Sequence, residues 1–152
     1  MNMASNFKCT TFLLSALFCL VTDAIASDWI SVDKDSNGNV QSIDLESITR
    51  NGDIAKAWTN IRFISPKNME GEPRGLKIWS IKTLEYYNCQ DRTSSSKTAI
   101  FYSDNKGEKI YKVADLKIEY QDIVPDTVGE LFYETACKSK TSNSENNETS
   151  RN

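Results

Sequence analysis

Leu76 to Cys89 reads LKIWSIKTLEYYNC. Aromatic and β-branched residues recur along it at every second position, the pattern of a strand with one buried face. Side chains alternate across a strand, so Trp79, Ile81, Thr83, Tyr87 and Cys89 share one side. Lys82, Leu84 and Tyr86 then point the other way. Lys77 and Glu85 fall on the first side or at its margin. The first side is largely apolar and ends in a cysteine, so it calls for a covering layer.

That cover is legible at the far end of the chain. Val128, Leu131, Phe132, Thr135 and Ala136 fall on one helical stripe. Thr127 with Glu130 fits a capping box, and Asp126 is an alternative cap. The helix should stop near Cys137, where KSKTSNSENNETSRN (138–152) begins. With no apolar residue, this segment cannot offset the entropy of ordering and is expected to be a disordered tail. Cys89 and Cys137 are the only cysteines after residue 26. In an oxidising compartment they are most simply a pair. The loop they close, about 48 residues, stabilises by about 4 kcal/mol in the chain-entropy picture. The spacing therefore predicts an α+β, mainly β domain. A C-terminal helix packs on one face of an antiparallel sheet and is tied there by a disulfide.

Further strands are expected at Trp29–Val32, Val40–Asp44 and Ile54–Ser65. A hairpin should join Thr98–Ser103 to Glu108–Val113 around Asp104–Gly107. Pro66, Gly71, Pro73 and Gly75 mark the loop before Leu76.

At the N-terminus, Lys8 precedes the apolar run Thr11–Val21, and Ala24-Ile25-Ala26 supplies small residues for cleavage. This is a signal-peptide layout, too short to span a bilayer. The expected organisation is a signal peptide at 1–26, one domain at 27–137 and the tail at 138–152. The protein should be exported, ending in the periplasm, on the cell surface or secreted. No later apolar run reaches membrane-spanning length. The net charge of −3 gives no electrostatic case for nucleic acid or acidic lipid.

The chain has no histidine, which excludes histidine-dependent triads and the commonest zinc and haem ligation. No set of acid, base and nucleophile can be named. Glu70 with Glu72 is a conceivable carboxylate pair but reads as solvated. Neither catalytic residues nor a cofactor are expected. Asp33 to Asp44 spaces oxygen ligands in a calcium-loop pattern, but its flanks read as strands and Asn37-Gly38 is a hairpin-turn signal. A plain turn without metal is the expectation. Lys82, Leu84 and Tyr86 form the outward face of the Leu76–Cys89 strand, a plausible patch for a protein partner.

Several segments, taken in order, resemble the surface-adhesin protein E family of Gram-negative bacteria. Trp29 opens the region. Asp44-x-x-Ser47-Ile48-x-Arg50 follows, then Ala57-Trp58. Tyr87-x-Cys89-x-x-Arg92 closes the long strand. Tyr102-Ser103 with Gly107, then Val124-Pro125, Glu130-Leu131 and Cys137, complete the series. The resemblance covers about Asp28 to Lys138. It implies a sheet of about six strands with a disulfide-bound helix, and a non-enzymatic adhesin that meets host extracellular-matrix proteins and forms a homodimer. On that basis Lys82, Leu84, Tyr86 and Arg92 are the expected binding residues, acting through the exposed edge and outer face of the Leu76–Cys89 strand and its neighbour. The alternative is a periplasmic envelope-associated domain or hydrolase inhibitor with no host ligand.

Overall fold

The computed structural model describes residues 27–71, 73 and 75–138. The expected signal peptide, Glu72, and the expected tail apart from Lys138 lie outside the described residues. The chain forms β1 (Trp29–Lys34), β2 (Val40–Asp44), a short 3-10 turn (Leu45–Ser47), β3 (Thr49–Asn51) and β4 (Ile54–Lys67). β5 (Ile78–Asn88), β6 (Thr93–Tyr102), β7 (Ile110–Asp115), β8 (Gln121–Asp122) and α1 (Val128–Lys138) follow. The sheet is antiparallel, with order β1-β2-β4-β5-β6-β7. β3 pairs with β4 and β8 with β6, off the main path. The six strands of that path match the expected number; β3 and β8 are too short to leave a periodic trace.

The expected helix packs where the cysteines require it. Cys89 and Cys137 are bonded, with their Cα atoms 5.6 Å apart. The core gathers Ile43, Ala55, Ala57, Tyr87, Ile123, Tyr133 and Ala136. Ala55 and Ala57 are fully buried on β4, and their small side chains let the helix approach the strand closely. Opposite them on β5 stand Tyr87 and Glu85, on the helix side as the alternation requires. Tyr87 meets Tyr133 edge to face, with ring centroids 6.5 Å apart.

The other side of β5 is not uniformly outward. Ile78 is fully buried there and Ser80 nearly so. β5 and β6 are also interior strands, and the sheet edges are β1 and β7. The exposed strand edge expected beside Lys82 is therefore absent, and only the face is available.

The turn at Asp35–Asn39 is held by its own side chains. Asp35 Oδ1 accepts the N–H groups of Asn37 and Asn39, both at 2.9 Å, and Asp35 Oδ2 accepts Asn39 Nδ2 at 2.8 Å. These donors hold the Asp35 carboxyl below its ordinary range. Gly38 takes φ +84, the left-handed conformation a glycine adopts without strain. In the β6–β7 turn Asp104 accepts from Glu108 and Lys109 in the same way. Among the described residues, no helix is long and apolar enough to cross a membrane.

Candidate functional site

The motif residues between Asp44 and Arg50 act on the scaffold. Asp44 Oδ1 accepts the N–H of Asp28 at 2.9 Å. Ser47 Oγ donates to Asp44 O at 2.7 Å and accepts the N–H of Trp58 at 2.8 Å, joining the 3-10 turn to β4. Ile48 packs against the core. Arg50 Nη1 donates to Cys137 O at 3.0 Å, placing a cation at the helix C-terminus, where the macrodipole favours it.

Tyr87-x-Cys89-x-x-Arg92 has the same character. Arg92 takes φ +54 in the turn after β5. Its guanidinium bonds Glu130 and lies 5.0 Å from the Tyr133 ring centroid. Glu130 also accepts the N–H of Asp126, so its carboxyl sits below its usual range, chiefly through that backbone bond and then through Arg92. Tyr133 donates its hydroxyl to Cys89 O at 2.8 Å. The expected cap has shifted: Thr127 Oγ1 donates to Val124 O, and Glu130 reaches back to Asp126. Arg92 is thus on the helix side, away from the other three expected binding residues.

Lys82, Leu84 and Tyr86 do stand together, in a row on the opposite side of β5. Their β4 partners are Asn60, Trp58 and Lys56, and their β6 partners are Ile100, Thr98 and Ser95. Each set shares this open face with the row. All three residues are half-buried. The Lys82 amine lies 5.2 Å from the Trp29 ring and 5.3 Å from the Tyr102 ring, which ties β1, β5 and β6 together. Beside it, the buried Oδ1 of Asn60 has no hydrogen-bond partner.

Below Leu84 the open face deepens into a groove of about 650 Å³. Lys56 and Tyr86 line it from the central strands. Thr49 and Asn51 approach from the β3 margin, and Ile118 and Tyr120 from the segment that leads into β8. Both sheet margins can line one groove only if the sheet curls toward its open side. Ile118 and Tyr120 are 44% and 43% exposed, large for apolar side chains at a concave surface. Sequence reasoning passed over both, although Leu116, Ile118 and Tyr120 alternate.

The helix side carries a polar cleft of about 290 Å³ around Glu85, Ser94 and Ser96. Ser96 Oγ lies 2.8 and 3.0 Å from the two Glu85 oxygens. Burial pushes the Glu85 carboxyl up despite that bond, and burial followed by the Glu85 charge pushes Tyr87 up strongly. Among the described residues, no group of three or more potential ligand side chains is placed to hold a metal ion.

The family profile described as Surface-adhesin protein E matches residues 29–138. Crystal form II of Haemophilus influenzae protein E superposes with a TM-score of 0.56 at 20% identity, covering 75% of this chain and 90% of that one. The Se-Met form of the same protein gives a TM-score of 0.54 at 20% identity, covering 75% and 88%. The comparison with curated proteins returned no match.

Proposed function

The chain belongs to the surface-adhesin protein E family, and from that premise we propose that it is an exported, non-enzymatic binding protein whose open face docks a protein partner. One observation carries the reading. The residues shared with the family at the helix side all hold the scaffold, while Lys82, Leu84, Tyr86 and the groove below them lie on a face the helix leaves uncovered. Half-buried aromatic and aliphatic side chains flanked by cations suit the core of a protein interface. Host extracellular-matrix proteins are the partner class proposed, with the domain presented at the cell surface. Within this reading Leu84 and Tyr86 make contact, Lys82 orders the face, and Arg92 anchors the helix.

The test uses the mature protein against a panel of purified extracellular-matrix proteins, with protease digestion of intact cells run in parallel. Wild-type binding to a panel member should fall at least tenfold in Leu84→Asp, the scale of a central contact, with the melting temperature preserved. Binding unaffected by Leu84→Asp would remove the open face from the proposal. Protection of the domain until the outer membrane is breached would replace a host partner with an envelope one.

A further inference from the structure

We infer that Asn51 is a site of spontaneous covalent modification: its side-chain amide closes on the Gly52 nitrogen and is converted to aspartate or isoaspartate at the mouth of the groove. This chemistry is independent of what the open face binds.

The chain contains two Asn-Gly pairs, Asn37-Gly38 and Asn51-Gly52. Glycine has no Cβ to shield its amide, so both pairs react readily in an unfolded chain. The fold separates them. Gly38 N–H donates to Asp35 O and Asn37 N–H to Asp35 Oδ1, both at 2.9 Å. The nitrogen that must attack Asn37 is therefore committed inside a turn that Asp35 also closes through Asn39.

The second pair sits in a different turn. Asn51 and Ile54 pair across the two-residue loop Gly52-Asp53, and Gly52 takes φ +58 while Asp53 has no positive φ. Glycine with positive φ at the first central position alone marks a type II′ turn, whose first central N–H lies outside the ladder. Among the described residues, neither that N–H nor the Asn51 side chain has a hydrogen-bond partner. Both residues are exposed, and the space where a Gly52 Cβ would sit is open, so a ring has room to form.

The Gly52 nitrogen loses its proton to base and bonds to Asn51 Cγ; the Cγ–Nδ2 bond breaks and ammonia leaves. Water then opens the cyclic imide at either carbonyl. One opening restores the normal backbone with an aspartate side chain. The other routes the backbone through the side chain as isoaspartate, one methylene longer. Either product adds a carboxylate on the open side, where Asn51 lines the groove with Lys56. Isoaspartate also shifts the end of β3 out of register with Ile54. Arg50 is the preceding residue and donates to Gly52 O and Cys137 O, so a displaced turn withdraws one partner from the helix C-terminus.

The experiment incubates the mature protein at mildly alkaline pH, folded and in denaturant, and follows both sites by acid-pepsin peptide mapping and enzymatic methylation of isoaspartate. In the folded protein Asn51 should convert about fivefold faster than Asn37, the scale of the turn hydrogen bond that Gly38 must give up. In denaturant the two rates should converge. Asn51→Gln should abolish conversion at that site, because the longer side chain closes a less favoured ring, and Asn37→Gln should leave it unchanged. The converted fraction should show faster amide exchange in β3 and the last turn of α1, with the β5–β6 ladder unaltered. Equal rates at the two sites in the folded protein, or conversion of Asn51 in denaturant only, overturns the inference. Conversion without faster exchange overturns its consequence for the helix C-terminus.

Discussion

Glu85 sits midway along β5, with both oxygens within reach of Ser96 Oγ and its carboxyl pushed up by burial. The folded chain therefore holds this proton more tightly than the unfolded chain does. The ionised carboxylate costs stability as pH rises from the ordinary carboxylate range through the raised value, and the cost is complete above it. Glu85→Gln keeps an acceptor for Ser96 and removes the charge. It should stabilise the protein by on the order of 1 kcal/mol at neutral pH, with the gain vanishing below the ordinary carboxylate range; denaturant midpoints across pH measure this. Arg92 shows where the sequence runs out at this scale. Its position after Tyr87 and Cys89 was plain, but its partner Glu130 lies 38 residues further on. Neither residue's spacing announces that the helix will bring them together. Lys82 was placed on the correct face, and alternation alone sufficed for that. Its stacking between Trp29 and Tyr102 depends on pairings across five strands.

The helix and the strand it covers were the most legible elements, because each follows one strong period over many residues. β3 and β8 were not, since strands of Thr49–Asn51 and Gln121–Asp122 are too short for a period to develop. They arise from their neighbours: the turn at Gly52 folds β3 onto β4, and Ile123 N–H bonding to Arg92 O steers β8 beside β6. The disulfide should matter chiefly to the helix. Replacing Cys89 and Cys137 together with alanine should cost about 2–4 kcal/mol. It should also speed amide exchange in α1 well beyond that in the β4–β5 ladder. Tyr133, Arg92 and Arg50 still hold the helix in that variant, so it should remain docked. Hydrogen-exchange mass spectrometry resolves the two elements, and equal acceleration in both would show that the bridge stabilises the sheet just as directly.

Across the whole molecule, the fold was readable because its two cysteines, one long alternating strand and one helical stripe all required the same arrangement. The groove was not, because it depends on curl. Thr49 to Asn51 and Ile118 to Tyr120 are distant in the chain and lie beside opposite margins of the sheet at that end. A flat sheet of the same strands would leave them apart. Twist and register set that curvature, and both accumulate over the whole sheet rather than in any one segment. The groove and the helix-packed core cluster lie on opposite sides of the sheet, so substitutions in the groove should leave that core untouched. The bridge between β5 and α1 has a mechanical consequence as well. Tension applied at Lys138 does not travel back through the helix; it crosses the sulfur atoms and enters the end of β5, a strand bonded on both sides. The segment between the cysteines, which stand 48 positions apart, is shielded from load, and about 160–170 Å of slack stays locked until the bridge is reduced. Single-molecule pulling on the oxidised protein should show a contour length shorter by that amount than on the reduced protein. A surface protein built this way would resist flow as a short, stiff tether.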